Sequence, residues 1–398
     1  MNPELDRLQP YPFERLRALF AGVTPPADRE AVNLGIGEPK QAPPGFVLDT
    51  IEAHRADFAR YPLTGGTGEL QSACARWAER RFGLAAEALE PGHQVIPVNG
   101  TREAIYGIAQ AVVGAKTDPA VAMPNPLYQI YEGAAFMAGA EPIYVDAAGP
   151  GGLPDFAALP SATLARLELV YVCSPANPTG GVLTDADYHA LFELADRYDF
   201  VIASDECYSE IYPDEEAPPT GILAAARAAG RDGFERCLAF HSLSKRSNLP
   251  GLRSGFVAGD PDVIGRFLRL RTYMGNASPL PLQAGAAAAW ADEAHVRANR
   301  AAYRDRFAAV LEILQPVLDV DAPAGGFYLW PRVPGGGEAF ARELYAREAI
   351  TVLPGAYLGR DTGAGNPATE RVRIALVDEL DRCVDAARRI RRVAESWE

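Results

Sequence analysis

Between residue 94 and about residue 258, short apolar runs alternate with stretches of helical periodicity. The runs Val95–Val98, Ala120–Met123, Glu141–Val145, Leu169–Cys173, Phe200–Ser204, Cys237–Phe240 and Gly255–Ala258 have the length and composition of buried strands. The intervals Glu103–Val113, Leu127–Ala138 and Asp185–Tyr198 read as helices. This alternation predicts an α/β fold whose seven-stranded, mainly parallel sheet carries helices on both faces. Upstream, Leu5, Leu8, Phe13, Leu16, Leu19 and Phe20 make an amphipathic pattern interrupted by Pro10 and Pro12, which predicts an arm with one short helix. The segment Val32–Pro39 reads as a short strand running into a Gly/Pro-rich loop, and a helix near 45–58 leads into the turn-rich stretch Tyr61–Gly68. After Pro281 an alanine-rich helical stretch runs to about 316, followed by a strand at Gly326–Trp330 and a final α+β segment. The expected organisation is an N-terminal arm and part of a small domain (1–45), a large α/β domain (46–282) and a small α+β domain (283–398).

Composition narrows the function classes. A net charge of −14 over 398 residues argues against a nucleic-acid binder, which needs a basic face. No apolar run approaches the ~18 residues that span a bilayer, and the first residues lack the pattern of a secretory signal, so a cytoplasmic protein without a membrane partner is expected. The five cysteines are scattered, odd in number and without a Cys-x-x-Cys pair, which favours buried thiols in a reducing compartment over disulfides or a metal site. Only Lys40, Lys116 and Lys245 are lysines; the other 35 of the 38 basic residues are arginine. Where arginine is the default cation, a lysine at a buried strand end suggests that an amine is needed. A desolvated amine can lose its proton and attack a carbonyl, which a guanidinium cannot do.

Ligands of open α/β sheets bind beyond the carboxyl ends of the strands, so the polar residues there are best taken together. Gly100 and Thr101, in Asn99-Gly100-Thr101-Arg102-Glu103, lie where a strand gives way to a helix, which suits either a phosphate or an ordinary N-cap. Tyr128, after Pro124-Asn125-Pro126-Leu127, can stack on a flat ring or pack in the core. Asn177 lies between two prolines that fix its amide. Asp205 ends a buried strand and calls for a positive partner or a cap. Lys245 follows Ser242 and Ser244, and Arg253 lies in a glycine-flanked turn able to present a guanidinium to a phosphate. These groups together describe one ligand, a planar heteroaromatic with a phosphate, an aldehyde and a ring nitrogen kept protonated by an acid: pyridoxal 5′-phosphate. No Gly-x-Gly-x-x-Gly run opens a helix after the first strand, which removes a nicotinamide dehydrogenase.

Asn-Pro-Thr-Gly at 177–180, Asp205-Glu206-x-Tyr208, Ser242-x-Ser244-Lys245, Gly251-x-Arg253-x-Gly255 and Arg371–Leu376 resemble the class I/II aminotransferases of fold type I, over essentially the whole chain. The resemblance implies the residue roles. Lys245 forms the imine with the cofactor and then moves the substrate proton. Asp205 pairs with the ring nitrogen, while Asn177 and Tyr208 bond the phenolic oxygen. Ser242, Ser244, Arg253 and the backbone of Gly100, Thr101 and Arg102 hold the phosphate, and Tyr128 stacks on the ring. Arg373 takes the substrate α-carboxylate, helped by Asn177 and the backbone near Gly37; by periodicity alone Arg373 reads as a surface arginine. Tyr61 reaches the partner chain's phosphate, which implies an obligate homodimer.

Leu8–Glu14, Asn99–Glu103, Pro124–Glu132 and Ser244–Asn248 are similar to N-succinyl-LL-diaminopimelate aminotransferases of lysine biosynthesis, which use glutamate as amino donor. Gln71 stands where that family has arginine, and Gly65-Gly66-Thr67-Gly68 is richer in glycine. Such a substrate brings further carboxylates, for which Arg102, Lys40 and Arg246 are the candidates. An aspartate or broad-range amino acid aminotransferase, or a β-eliminating lyase of the same fold, are the alternatives.

Overall fold

The computed structural model describes residues 1–397. All seven apolar runs form strands: β1 (Val95–Val98), β2 (Ala120–Asn125), β3 (Glu141–Asp146), β4 (Leu167–Cys173), β5 (Val201–Asp205), β6 (Cys237–Ser242) and β7 (Gly255–Gly259). They make one sheet in the order β1-β7-β6-β5-β4-β2-β3. Strand β7 runs antiparallel to β1 and β6, and every other pair is parallel. Strands β4, β6 and β7 are buried at every position, which is why they read as continuous apolar runs rather than alternating ones. Successive side chains enter opposite layers. Val170 and Val172 join the cluster containing Trp77 and Trp290, whereas Leu169 and Tyr171 join the one containing Ile105 and Tyr131.

The strand directions gather the chemistry. The carboxyl ends of β2, β4, β5 and β6 deliver Asn125, Cys173, Asp205 and Ser242 to one edge. Because β7 is reversed, its amino end, preceded by Arg253, faces that same edge. β1 ends there too, with Gly100 and the helix Thr101–Val112 following it.

A further layer is built from Tyr328–Leu329, Leu353–Pro354 and Val372–Ala375, paired antiparallel, and from Val32–Asn33 beside Ile350–Thr351. Its core combines Val32 and Leu34 with Val310, Leu314, Ile374 and Ile390. The arm holds a 3-10 turn (Pro3–Arg7) and a helix (Pro12–Leu19) that begins on Pro12, where the missing N–H costs nothing. Leu16 of that helix packs on Leu353, Tyr357 and Leu358.

Three expected elements differ. The alanine-rich stretch is two helices, Leu280–Ala291 and Ala294–Leu314. Arg246 takes the carbonyls of Ala289 (2.8 Å) and Asp292 (2.9 Å) at the end of the first, and the Asp292 carboxylate accepts from the His295 N–H (3.1 Å) at the start of the second. The helix near 45–58 is an α-helix, Gly45–Ala53, followed by a 3-10 turn, Arg55–Ala59. The strand at Gly326–Trp330 shortens to Tyr328–Leu329, because Gly326 turns through φ +85° to donate to the Ile211 carbonyl. Among the described residues no helix is long and apolar enough to cross a membrane.

Trp77 ties the sheet to the helices beneath it, with ring centroids 4.7 Å from Trp290 and 5.8 Å from Phe256. Trp77→Ala should lower unfolding stability by about 3–5 kcal/mol, the range for emptying a buried aromatic site, as read from guanidinium unfolding curves.

Candidate active site

A cavity of 470 Å³ opens along the collecting edge of the sheet. At its floor Lys245 rides on a single helical turn, Leu243–Arg246, that starts directly from β6. Ser242 caps the turn by accepting from the Ser244 N–H (3.1 Å), and the two hydroxyls are 3.0 Å apart. The Lys245 amine donates to the Gly37 carbonyl (2.5 Å). No side chain fits at Gly37, because the Tyr328 hydroxyl occupies the place of a Cβ. Burial pulls the Lys245 amine down to about 8; Arg373 and Arg253 pull the same way, and Cys207 and Glu38 oppose them.

One wall is an anion cradle. Gly100, at φ +80°, caps the helix Thr101–Val112 and turns its first N–H groups toward the cavity. Arg253 lies against Gly100 so closely that a Cβ there would collide with its guanidinium. That guanidinium donates to the carbonyls of Pro250 (2.9 Å) and Asn99 (3.4 Å), leaving its charge without a carboxylate. The Thr101 hydroxyl is 2.9 Å from the Cys207 sulfur.

Facing the amine is a slot edged by Tyr128, half-buried, and Asp205, which is buried. Burial pushes the Asp205 carboxyl above the ordinary range, while Cys207 and the Tyr131 hydroxyl pull it down. Its Oδ2 accepts from Tyr131 (2.8 Å) and its Oδ1 from the Cys207 N–H (3.3 Å); no ion pair reaches it among the described residues. The Tyr208 and Tyr328 hydroxyls are 3.1 Å apart. Arg373, 5% exposed, donates to Asn177 Oδ1 (3.0 Å) and the Gly35 carbonyl (2.9 Å), and lies 4.4 Å from the Tyr328 ring centroid. Its Nε is buried without a partner among the described residues.

The structure thus brings together around one cavity Lys245, Asp205, Tyr208, Asn177, Tyr128 and Arg373, with Ser242, Ser244, Arg253, Thr101, Arg102 and Gly37. Gly100 adjoins them through Arg253. Tyr61 lies elsewhere, fully exposed, with Leu63 and Phe58 also exposed near it in sequence. The three candidates for distal carboxylates separate sharply. Arg246 is buried between Trp77 and Trp290 and bonded to Glu293 (2.6 Å), so it is a structural anchor and does not line the cavity. Lys40 is paired with Asp378 (2.5 Å) outside the lining. Arg102 does line it, held among the described residues only by the hydroxyls of Tyr128 (2.7 Å) and Tyr11 (3.2 Å). Gln71 pins the glycine-rich loop by donating to the Gly65 carbonyl (2.8 Å).

Sequence reasoning missed several lining residues. Tyr11, Phe13 and Tyr131 stand inside the motifs that carry the family resemblance, and Glu38 follows Gly37 directly. Tyr328 carried no signal, since a tyrosine in an apolar strand looks like core.

Residues 29–387 match the family described as aminotransferase class I and II. An aminotransferase of Neisseria meningitidis, 46% identical, has a similar structure with a TM-score of 0.94, covering 98% of this chain and 99% of that one. A probable N-succinyldiaminopimelate aminotransferase of Thermus thermophilus, 26% identical, gives a TM-score of 0.81, covering 96% and 99%. Among curated relatives, the 4-dedimethylamino-4-oxo-anhydrotetracycline transaminase of Streptomyces rimosus is 35% identical over 90% of this chain and 92% of its own length. The LL-diaminopimelate aminotransferase of Desulforudis audaxviator is 31% identical over 96% and 95%.

The depressed amine has a consequence for stability in the ligand-free protein. Below pH about 8 both the folded and the unfolded chain hold the Lys245 proton, and the folded state bears the full cost of a buried charge. From there to the ordinary lysine value of 10.5 the unfolded chain binds more protons, so stability rises with pH and the cost is gone above it. Urea unfolding at a series of pH values should therefore show the native chain gaining on Lys245→Met across that window. A constant difference would contradict the shift.

Proposed function

The chain belongs to the class I and II aminotransferases, a family dependent on pyridoxal 5′-phosphate, and on that premise we propose that it moves an amino group from glutamate to N-succinyl-2-amino-6-oxopimelate, giving N-succinyl-LL-2,6-diaminopimelate. The cavity suits the cofactor: a cradle where a Cβ at Gly100 would collide with Arg253, a buried carboxylate without an ion pair among the described residues at Asp205, and an amine drawn down to about 8 at Lys245. Ser242, Ser244, Arg253 and the N–H groups from Gly100 to Arg102 would hold its phosphate, and Tyr128 its ring face. Asp205 would hold the ring nitrogen, and Asn177 and Tyr208 the phenolic oxygen. When bound, the cofactor supplies an electron sink for the charge that develops at the substrate Cα.

The rest of the reaction falls to the protein. An amine titrating at about 8 can both take and return the Cα proton near neutral pH, which is what Lys245 would do. Arg373, pinned by Asn177 and Gly35, would fork onto the α-carboxylate, whose oxygens also satisfy its orphaned Nε. Tyr208, linked to Tyr328, would donate to an oxygen that gains charge.

One observation carries the substrate reading. Three arginines line the cavity and none has a carboxylate partner among the described residues: Arg253, Arg373 and Arg102. The three guanidinium groups match the cofactor phosphate, the α-carboxylate and one of the two distal carboxylates of the succinylated substrate. The Thermus thermophilus likeness and the four motifs support the succinylated substrate. A second reading, LL-diaminopimelate itself, is favoured by Glu38, a lining carboxylate without an ion pair among the described residues that suits a distal ammonium, and by the Desulforudis audaxviator relative. We further take the active unit to be a homodimer in which Tyr61 reaches the partner's phosphate; the exposure of Phe58, Tyr61, Leu63 and Tyr273 supports an interface there. The division at residues 45 and 282 stays part of this proposal, supported by the core that unites Val32 and Leu34 with residues 310–393.

Assays of amino transfer from glutamate to succinylated, free and simple dicarboxylic acceptors decide among these readings. Arg102→Ala should raise KM for the substrate with a distal carboxylate about 10- to 100-fold, the worth of one charge-assisted bond, and leave alanine turnover unchanged. Lys40→Ala should change neither. Equal KM values in Arg102→Ala and the native enzyme would remove the distal subsite. Tyr61→Ala should weaken cofactor retention on dialysis without altering Lys245, and borohydride followed by peptide mapping should place the pyridoxyl label on Lys245.

A further inference from the structure

Tyr131 has a 1% exposed side chain, and the proposed mechanism gives it nothing to do. Its hydroxyl donates to Asp205 Oδ2 at 2.8 Å, beside the Cys207 thiol, which also bonds the carboxylate. The ring is stacked on Tyr171, with centroids 4.7 Å apart and planes 13° from parallel. Tyr171 is locked in turn by its own hydroxyl, which donates to the Ile105 carbonyl at 2.6 Å. A second contact, edge-on to Tyr128 at 5.7 Å, fixes the other side of the ring. The hydroxyl is therefore aimed by the core, and the carboxylate it meets is aimed by it.

Resting on the function proposed above, we infer that Tyr131 is the positioning residue for Asp205, holding the carboxylate charged and in one rotamer toward a protonated nitrogen of the cofactor ring. The surroundings leave this task to few groups. Asp205 is faced by Cys207 on its own loop, by Cys173 at the end of β4, by Lys245 across the cavity and by Tyr131; Glu206 is its neighbour in the chain. Burial pushes both thiols and the tyrosine upward, so all three are neutral at working pH and Tyr131 only donates. A donor to an ionised acceptor makes a bond about twice as strong as a neutral pair, and it favours the charged form. Without it, the buried carboxylate loses its hydroxyl donor, and the carboxyl tends to protonate and stop supporting charge on the ring.

The test uses holoenzyme. Tyr131→Phe removes only the hydroxyl and should weaken pyridoxal phosphate binding about 10-fold or more, measured by fluorescence, and shift the midpoint of the bound cofactor's visible absorbance with pH. Tyr131→His, which restores a donor, should return both toward the native values. With 1-deazapyridoxal phosphate, which lacks the ring nitrogen, native enzyme and Tyr131→Phe should bind alike, a result that loss of packing alone would not give. Tyr131→Leu serves the same comparison where Tyr131→Phe does not fold. Unchanged affinity and midpoint in Tyr131→Phe, or an equal loss with the deaza analogue, overturns the assignment while leaving the aminotransferase reading intact. A native protein that takes up no pyridoxal phosphate overturns both.

Discussion

The amine of Lys245 is held where water reaches it poorly, and burial draws its titration down to about 8. Keeping an amine in that state takes a rigid mount, and the mount is the residue beside it. Arg246 lies between Trp77 and Trp290 and spends its donors on Ser247, Ala289, Asp292 and Glu293. Asn299 adds bonds to the carbonyls of both residues at 3.2 Å. Two adjacent basic residues thus divide the labour by their chemistry. The guanidinium, which keeps its proton, is buried and paired; the ammonium, able to lose its proton, faces the cavity.

The same contrast between paired and unpaired charge runs through the molecule. Away from the cavity, several buried cations are compensated: Arg81 and Arg300 meet Glu210, Arg271 meets Glu103 and Arg360 meets Glu132. Around the cavity the arginines meet carbonyls, amides and hydroxyls, groups that orient a guanidinium without neutralising it. Leaving charge unsatisfied near a low-dielectric floor costs stability, and anionic groups of a ligand recover that cost on binding. The topology makes this possible. Strand β7, running against its neighbours, is what brings Arg253 to the edge where the parallel strands deliver Asp205 and Ser242.

Much of this was legible in the chain because it is local. Strands buried on both faces announce themselves as apolar runs, and the polar residues at their ends, Asn177, Asp205 and Lys245, follow within a few positions. What was not legible depends on contacts distant in sequence. Arg373 alternates with apolar residues in Val372–Ala375 as a surface residue would, and only family resemblance singled it out; its bonds go to Asn177 and Gly35, nearly 200 and more than 300 residues away. Arg246 looked like a ligand-binding cation because its motif adjoins Lys245, yet its side chain turns to the opposite side of the backbone. The break between Ala291 and Ala294 was hidden because alanine-rich sequence favours helix throughout, and the carbonyls that end the first helix are taken by that same arginine.

The two ends of the proposed substrate would meet guanidinium groups of very different rigidity. Arg373 is buried, fixed by an amide, a carbonyl and the face of Tyr328, as suits a group that must register the reacting carbon against Lys245. Arg102 is exposed at the mouth and steadied by two neutral hydroxyls, one of which, on Tyr11, belongs to the N-terminal arm. The arm is anchored on both sides of Tyr11: Arg7 lies 4.1 Å from the Phe136 ring centroid, and Leu16 packs with Leu353 and Leu358. Tyr11, between these anchors, therefore reports the relative placement of the helix Gln129–Met137 and the C-terminal layer to the very guanidinium that would choose the substrate. Selectivity built in this way can change through the arm without disturbing the amine, the acid or the anion cradle on which the chemistry would depend.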